Sequence, residues 1–565
     1  MEFRLFTLIF IFILPIFCFS QENAKTKYRS PLGIPLVLAA NFGELRPNHF
    51  HMGLDFKTNG VEGLSLYTIE DGYIARIKIS PYGYGKVIYV NHPNGVTSVY
   101  AHCSAFKGRL DSIVKSVQEK EQNFEIELFL NPTDIPVKKG EIIALSGNTG
   151  GSTAPHLHFE LRDTKTEEAM NPLVFGFEIQ DHKPPIIKGL KVYALTEQGY
   201  QVPGKSKIVN VSKTNNDYHI PGDLLTIPSD YCSEDGGIGF AFEVVDQFDA
   251  AENICGLYKS TLRIKNDTIF RQQIDKVAFD HSRYINSHKD YHEYTVNKRK
   301  FHKSFKTQHN PLAIYPTLDL GLIKIKPGEK LSFIFSAQDV MKNESDLEFN
   351  LFVSEGKENT SNSIFPTWLY FQPDSTIQLK NDKIEFTAQK HTFYEPTKKN
   401  LSLVAPFSFG DPSQPIQYPV SVKMKLPSTK IDVSKYYINV LSEGSKNHAL
   451  ESAIKGDWIE AESNYLGIFK IKIDTIAPSI SPLNFNVSEA IKGKNRYTWS
   501  VNENQTELLD YDLFIDGKWS VLEYESKGDY LFFDRPKVLL GKHKVEIIVK
   551  DSCGNVKKWS NEILF

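Results

Sequence analysis

Cysteine is scarce: five residues in 565 are too few for a disulfide-dense scaffold. Charge of either sign is also missing as a surplus. The 65 Lys and Arg stand against 68 Asp and Glu, net −3, so the chain as a whole offers no field that would attract nucleic acid. Beyond residue 20 no apolar run approaches the roughly twenty residues that cross a bilayer, and long helical patterns are few. The one long apolar run, Leu5 to Phe19, lies between Arg4 and the pair Ser20-Gln21. It is short for a span and has the order of a secretory signal, so residues 1–20 are predicted to be a signal peptide. The remainder is expected to be exported, to the periplasm, cell envelope or medium, with no transmembrane segment after signal removal. Cys18 follows Phe17, where a lipoprotein signal wants a small residue, so acylation is not predicted.

Aromatic residues are plentiful: 26 Tyr and 38 Phe suit β-rich exported domains. The length calls for several cores. After Lys183-Pro184-Pro185 short alternating runs recur, punctuated by turn residues. Three share one grammar of strand, Asp and turn: Phe240 to Asp246 running on to Asn253, Leu331 to Asp339 running to Asn343, and Val545 to Asp551 running to Asn555. They resemble modules of immunoglobulin-like and fibronectin-like sandwiches. The predicted fold class is mainly β, an antiparallel first domain followed by several β-sandwich modules. The expected boundaries are 21–182 for the first domain, 183–355, 364–474 and 475–565, with a polar linker around 355–365 and a break near Asp474-Thr-Ile-Ala-Pro478.

The chemistry is concentrated before residue 160. His51 and Asp55 are four apart. His102 closes Tyr100-Ala101-His102. His156 and His158 flank Leu157, and His156 to Leu161 alternates with period two. In a strand, positions i and i+2 share a face, so His156 and His158 point into one groove while Leu157 and Phe159 pack behind it. The spacing of His51 and Asp55 also allows one strand face, since Gly53 argues against a helix. Imidazole and carboxylate together suit zinc, and a three-ligand zinc site leaves a fourth position for water. The glycines of Gly147-Asn-Thr-Gly-Gly-Ser152 are expected to let backbone approach a substrate closely.

His51-Met-Gly-Leu-Asp55, Tyr84-Gly-Lys-Val-Ile-Tyr-Val, Val99-Tyr-Ala-His102 and Ser146-Gly-Asn-Thr-Gly-Gly-Ser-Thr-Ala-Pro-His-Leu-His-Phe-Glu160 together resemble the lysostaphin-type (LytM-like) zinc metallopeptidases, over about residues 30–180. The resemblance implies one zinc ion on His51, Asp55 and His158, with His102 and His156 as an unligated catalytic pair. His156 is the expected general base, and His102 the residue that steadies an oxyanion or donates a proton. It further implies hydrolysis of peptide bonds in peptidoglycan stem peptides or cross-bridges, with peptidoglycan, and envelope proteins through the sandwich modules, as partners. Two alternatives keep the same residues: a non-catalytic regulator of a cell-wall amidase, and a secreted general protease.

Against the family pattern, residues 106–134 read as an insertion. Leu110, Ile113, Val114 and Val117 have helical spacing, and Phe124, Ile126, Leu128 and Leu130 alternate as a strand does. His281, His288, His292, His302 and His309 lie among Lys and Arg in no compact ligand pattern and read as a solvated basic loop. His49 is expected to line the groove, and Arg46 stands near enough in sequence to meet a substrate carboxylate. Four cysteines follow the signal. Cys232 and Cys255 form the best candidate bridge, Cys103 reads as a core filler, and neither Cys103 nor Cys553 has an obvious partner in the sequence.

Overall fold

The alternation of His156–Asp163 builds the middle of the first sheet. The computed structural model describes residues 28–565 apart from 216, 317–318, 358–364, 429 and 487–494. The predicted signal and most of the linker near 355–365 lie outside the described residues. The strands are β1 (Leu38–Ala40), β2 (Leu54–Lys57), β3 (Gly72–Ile79), β4 (Lys86–Asn91), β5 (Val96–Ala101), β6 (Ile126–Phe129) and β7 (His156–Asp163). They lie side by side in the order β1-β2-β7-β5-β4-β3-β6, every pair antiparallel. Leu157 and Phe159 turn into the core, where the Phe159 ring meets Tyr100 at 5.4 Å and Phe56 at 6.1 Å. The insertion supplies helix α1 (Arg109–Glu121), which buries Leu110 and Val114, and strand β6, which extends the sheet beside β3.

The second unit has two sheets. In one, β8 (Ile186–Leu195) pairs with β9 (Gln201–Asn210) and with β10 (Gly237–Val245). In the other, β11 (Lys259–Ile264) lies beside β12 (Lys330–Gln338), which forms a hairpin with β13 (Glu344–Val353). Phenylalanines at alternate positions close the space between them: Phe242 stacks on Phe335 at 3.6 Å, and Phe240 meets Phe333 and Phe349 edge-on. No apolar gap separates this unit from the first. One core runs from Tyr28 through Phe159 to Val353, and Ala169–Met170 pairs with Lys276–Val277 across the join.

Residues 281–303 are not a solvated loop. They fold as helices α2 (Ile285–His288) and α3 (Tyr291–Thr295) and a strand, Phe301–Lys303, beside β10. His288 and His302 are buried with their rings joined at 3.1 Å. Lys289 is buried too, because its ammonium donates to the carbonyls of Arg46 (2.6 Å) and Pro47 (2.7 Å) and lies 3.8 Å from the Tyr294 ring centroid. Lys191 pairs with Asp290 and Glu293. Each cation finds its partner far away in sequence, which composition cannot reveal.

The proposed Cys232–Cys255 bridge is not formed: among the described residues no cysteine is joined to another. Cys255 pairs with Asp246 just past the end of the nine-residue strand β10, whereas Cys232 lies before its start.

The third unit packs a five-stranded sheet on a four-stranded one around Phe386, Phe409 and Phe469. The fourth packs two four-stranded sheets around Trp499 and Ile547. The fourth unit returns to the first. Glu523 pairs with Lys86 at 2.7 Å, Ser526 Oγ donates to the Pro81 carbonyl at 2.8 Å, and Lys527 donates to the Asn148 carbonyl.

Candidate metal centre

Strand register assembles the centre. His158 on β7 lies opposite Asp55 of β2 on one side and Ala101 of β5 on the other, so Asp55, His158 and the adjoining His102 come together across three strands. His51 precedes β2 rather than sharing it. Its loop is tied by the Gly43 N–H to the His51 carbonyl (2.8 Å) and the His51 N–H to the Glu44 carbonyl (2.9 Å). The helices of the second unit brace this loop: the Phe50 N–H donates to Ser282 Oγ (3.0 Å), Tyr294 to the Leu45 carbonyl (3.2 Å), and Lys300 pairs with Glu44 (3.0 Å).

Three donor atoms form a nearly equilateral triangle. His51 Nε2 is 3.0 Å from Asp55 Oδ1 and 3.1 Å from His158 Nδ1, which is 2.9 Å from the same carboxylate oxygen. Tetrahedral zinc with bonds near 2.0 Å spaces its donors roughly 3.3 Å apart, so the set fits such an ion with little movement. The outer atoms fix the tautomers. His51 Nδ1 lies 2.8 Å from the Asn41 carbonyl, which can only accept, so Nε2 presents its lone pair inward. His158 Nε2 donates to Glu160 at 2.8 Å and leaves Nδ1 for a metal.

Glu160 is fully buried, held by Arg162 through Nε and Nη2 (both 2.7 Å) and by the Tyr84 hydroxyl. Burial alone would raise its carboxyl pKa; Arg162 and His158 reverse this and hold it down at about 2. For His158 burial disfavours the charge, yet Asp55 and Glu160 lift its pKa to about 9, and Asp55 is held well below the usual carboxylate range despite its own burial. Glu160 and Arg162 escaped the sequence reading, although the period-two pattern places 156, 158, 160 and 162 on one face.

His102 and His156 stand together beside this triangle, ring centroids 4.8 Å apart. His102 Nδ1 donates to the Thr149 carbonyl and His156 Nδ1 to that of Ala154, each at 2.8 Å, so both turn Nε2 toward the centre. His156 Nε2 is 3.4 Å from Asp55 Oδ1. Burial, with His158 and His156 nearby, lowers His102 to about 3, so it is neutral. Its backbone is left-handed at φ 60, a strained state for a non-glycine residue at a site of function. The glycines of 147–151 serve the protein itself: a Cβ on Gly147 would meet Ser104 N at 2.4 Å, and one on Gly150 would meet Gly85 N at 2.3 Å. They lock the His156 loop against the Tyr84 loop rather than opening backbone to a substrate.

A cleft of about 750 Å³ leads to the centre, lined by Arg46, Asp55 and His156 of the first unit and by Ala250, Asn253 and Ile254 of the second. His49 is exposed. Arg46 lies 3.4 Å from both Asp55 and Glu44, so it is already occupied by carboxylates of this chain. Cys103 is buried behind His102, its thiol pushed up to about 12 by that burial.

Residues 49–119 and 130–172 match the family model of peptidase family M23. A Haemophilus influenzae protein described as an uncharacterized metalloprotease is 34% identical over 131 residues, 23% of this chain and 21% of its own length. The DD-carboxypeptidase/endopeptidase Mpg of Neisseria meningitidis is 34% identical over 112 residues, and the peptidoglycan DD-endopeptidase ShyA of Vibrio cholerae 32% over 111, each covering 20% of both chains. The chain thus spans about a fifth of the length of these relatives. Among solved structures, the catalytic domain of lysostaphin from Staphylococcus simulans is 27% identical and covers 24% of this chain and 87% of that one, with a TM-score of 0.18.

Proposed function

The first unit is a peptidase family M23 domain, and from that premise we propose that the chain is an exported zinc metalloendopeptidase that hydrolyses peptide bonds in peptidoglycan. The observation that carries the proposal is the triangle of His51, Asp55 and His158, with edges of 2.9 to 3.1 Å and the two further imidazoles beside it. Bound zinc would polarise the scissile carbonyl and lower the pKa of a water toward neutrality. His156, with its Nδ1 proton on the Ala154 carbonyl, would accept a proton from the attacking water at Nε2 and return it to the leaving amine. His102, neutral and with its Nδ1 proton spent on Thr149, is an acceptor at Nε2 and orients the same water. That argues against giving it the oxyanion.

Incubation of the residue 21–565 chain with purified sacculi tests the reading. Release of muropeptides with new amine ends, lost on chelation, is expected. Casein cleavage without sacculus cleavage would replace peptidoglycan by ordinary protein as substrate. His156→Ala should keep its zinc and lose about a hundred- to ten-thousand-fold in rate. His51→Ala and Asp55→Ala should lose the metal, and an active, zinc-free His51→Ala protein overturns the ligand assignment.

A further inference from the structure

The strand-Asp-turn grammar has no part in the peptidase, yet it assembles two further clusters. Asp181, on the link from the first unit, meets Asp246 at the end of β10 and Asp339 at the end of β12; one carboxylate oxygen from each lies within 4.8 Å of the others. These side chains are 6%, 1% and 2% exposed. Asp474, on the link from the third unit to the fourth, meets Glu503 and Asp551 within the same spacing. Asp474 and Asp551 are fully buried.

The two clusters share a frame. Asn343 donates through its backbone N–H and Nδ2 to Asp339 (2.8 and 2.6 Å) and through Nδ2 to the Asp181 carbonyl (3.2 Å). Asn555 does the same with Asp551 (2.8 Å twice) and the Asp474 carbonyl (3.1 Å). Other donors meet part of the set: the Lys183 N–H reaches Asp181 Oδ1 (3.1 Å), the Gln247 N–H Asp246 Oδ1 (2.9 Å), the Ile476 N–H and Thr506 hydroxyl Asp474 (3.0 Å each), and the N–H groups of Asn504, Gln505 and Thr506 Glu503 Oε1. Asp181 Oδ2 and Glu503 Oε2, one in each cluster, are buried and meet no hydrogen-bond donor. Among the described residues no Lys, Arg or His pairs with Asp181, Asp246 or Asp339: the neighbouring His182 goes to Asp249, and Lys183 to the Phe248 carbonyl. Three buried carboxylates without a counter-charge repel one another and lose hydration.

We propose that Asp181, Asp246 and Asp339 bind one calcium ion at the joint of the first and second units, and that Asp474, Glu503 and Asp551 bind another at the joint of the third and fourth. The donors are all oxygen, which suits a hard cation and not zinc or copper. Calcium bonds of 2.3–2.6 Å allow oxygens across the ion to stand up to about 5 Å apart, wider than the octahedron of magnesium. The ion would pin each link to the hairpin it enters. At the first joint it also fixes the loop that begins at Asp246 and supplies Ala250, Asn253 and Ile254 to the cleft. Beyond that loop Gly256 exchanges hydrogen bonds with the Asn41 side chain (2.8 and 2.7 Å), whose carbonyl holds His51. The effect on the cleft rests on the peptidase reading; the count of calcium ions does not.

Equilibrium dialysis of the zinc-loaded, otherwise intact chain against ⁴⁵Ca²⁺ at about millimolar concentration, the working range of extracellular modules, should give two calcium ions per chain. The Asp246→Asn/Asp339→Asn variant should give one, the Glu503→Gln/Asp551→Asn variant one, and the combined variant none, with zinc content unchanged in all. Calcium should raise the melting temperature of the wild type and leave the combined variant unmoved. Asp339 and Asp551 also accept from Asn343 and Asn555, so these variants should melt lower than the wild type in calcium-free buffer; the readout of the sites is the calcium-dependent shift, present in the wild type and absent in the combined variant. No calcium on the wild type, or equal calcium on the combined variant, overturns the proposal, as does displacement of the label by an equal concentration of magnesium.

Discussion

Gly53 leaves the metal centre no spare room. A Cβ there would lie 2.4 Å from the Phe159 carbonyl oxygen and 3.0 Å from His158 Nε2. Gly53→Ala should therefore displace β7 and cost about 1–3 kcal/mol as overpacking, with loss of zinc measured by elemental analysis. Glu160→Gln removes the charge behind His158 and should weaken zinc by roughly ten- to a hundredfold in competitive chelator titrations. A third prediction concerns pH. Burial, aided by Lys300, lowers His302 from 6.5 to about 3 on folding. As pH falls the unfolded chain therefore binds this proton first, and stability declines from about pH 6.5 toward pH 3. His302→Gln should lose about 2 kcal/mol less than the wild type between pH 7 and pH 5, read by denaturant unfolding at the two pH values. At this scale the sequence was informative where chemistry repeats along a strand. His156 and His158, two apart on one face, could be read directly, and the same period held Glu160 and Arg162 unread. It was silent where a side chain depends on a partner some 240 positions away, as Lys289 depends on Arg46 and Pro47.

Among elements, α1 and β6 could be foreseen because an amphipathic spacing and an alternation need only local information. The helices at 285–295 could not, because their polar groups are buried on partners distant in sequence, Ser287 on Thr307, His288 on Tyr315 and Glu293 on Lys191, with Asn286 and Tyr294 reaching the His51 loop. Their service to that loop is testable. Lys289→Met keeps the apolar stem and leaves two carbonyls without a donor. It should lower zinc affinity and raise hydrogen exchange at 44–52 while the exchange of β4 and β5 stays as it was.

Across the whole molecule the four units touch in a circuit. The first shares its core with the second. The second meets the third through Arg283 Nε on the Ile416 carbonyl (2.7 Å) and Tyr394 on the Arg283 carbonyl (2.8 Å). The third holds the fourth through Lys435 on the Cys553 carbonyl (3.0 Å), and the fourth returns to the first at Lys86, Pro81 and Asn148. A protease site placed in the 358–364 segment and then cut should leave both fragments together in gel filtration, because two separate interfaces still join them. Such a circuit moves as a closed mechanical linkage. No unit can swing like a bead on a thread, because any rotation at one contact must be matched at the other three, and Asn148, in the loop that leads to His156, is tied into that frame by Lys527.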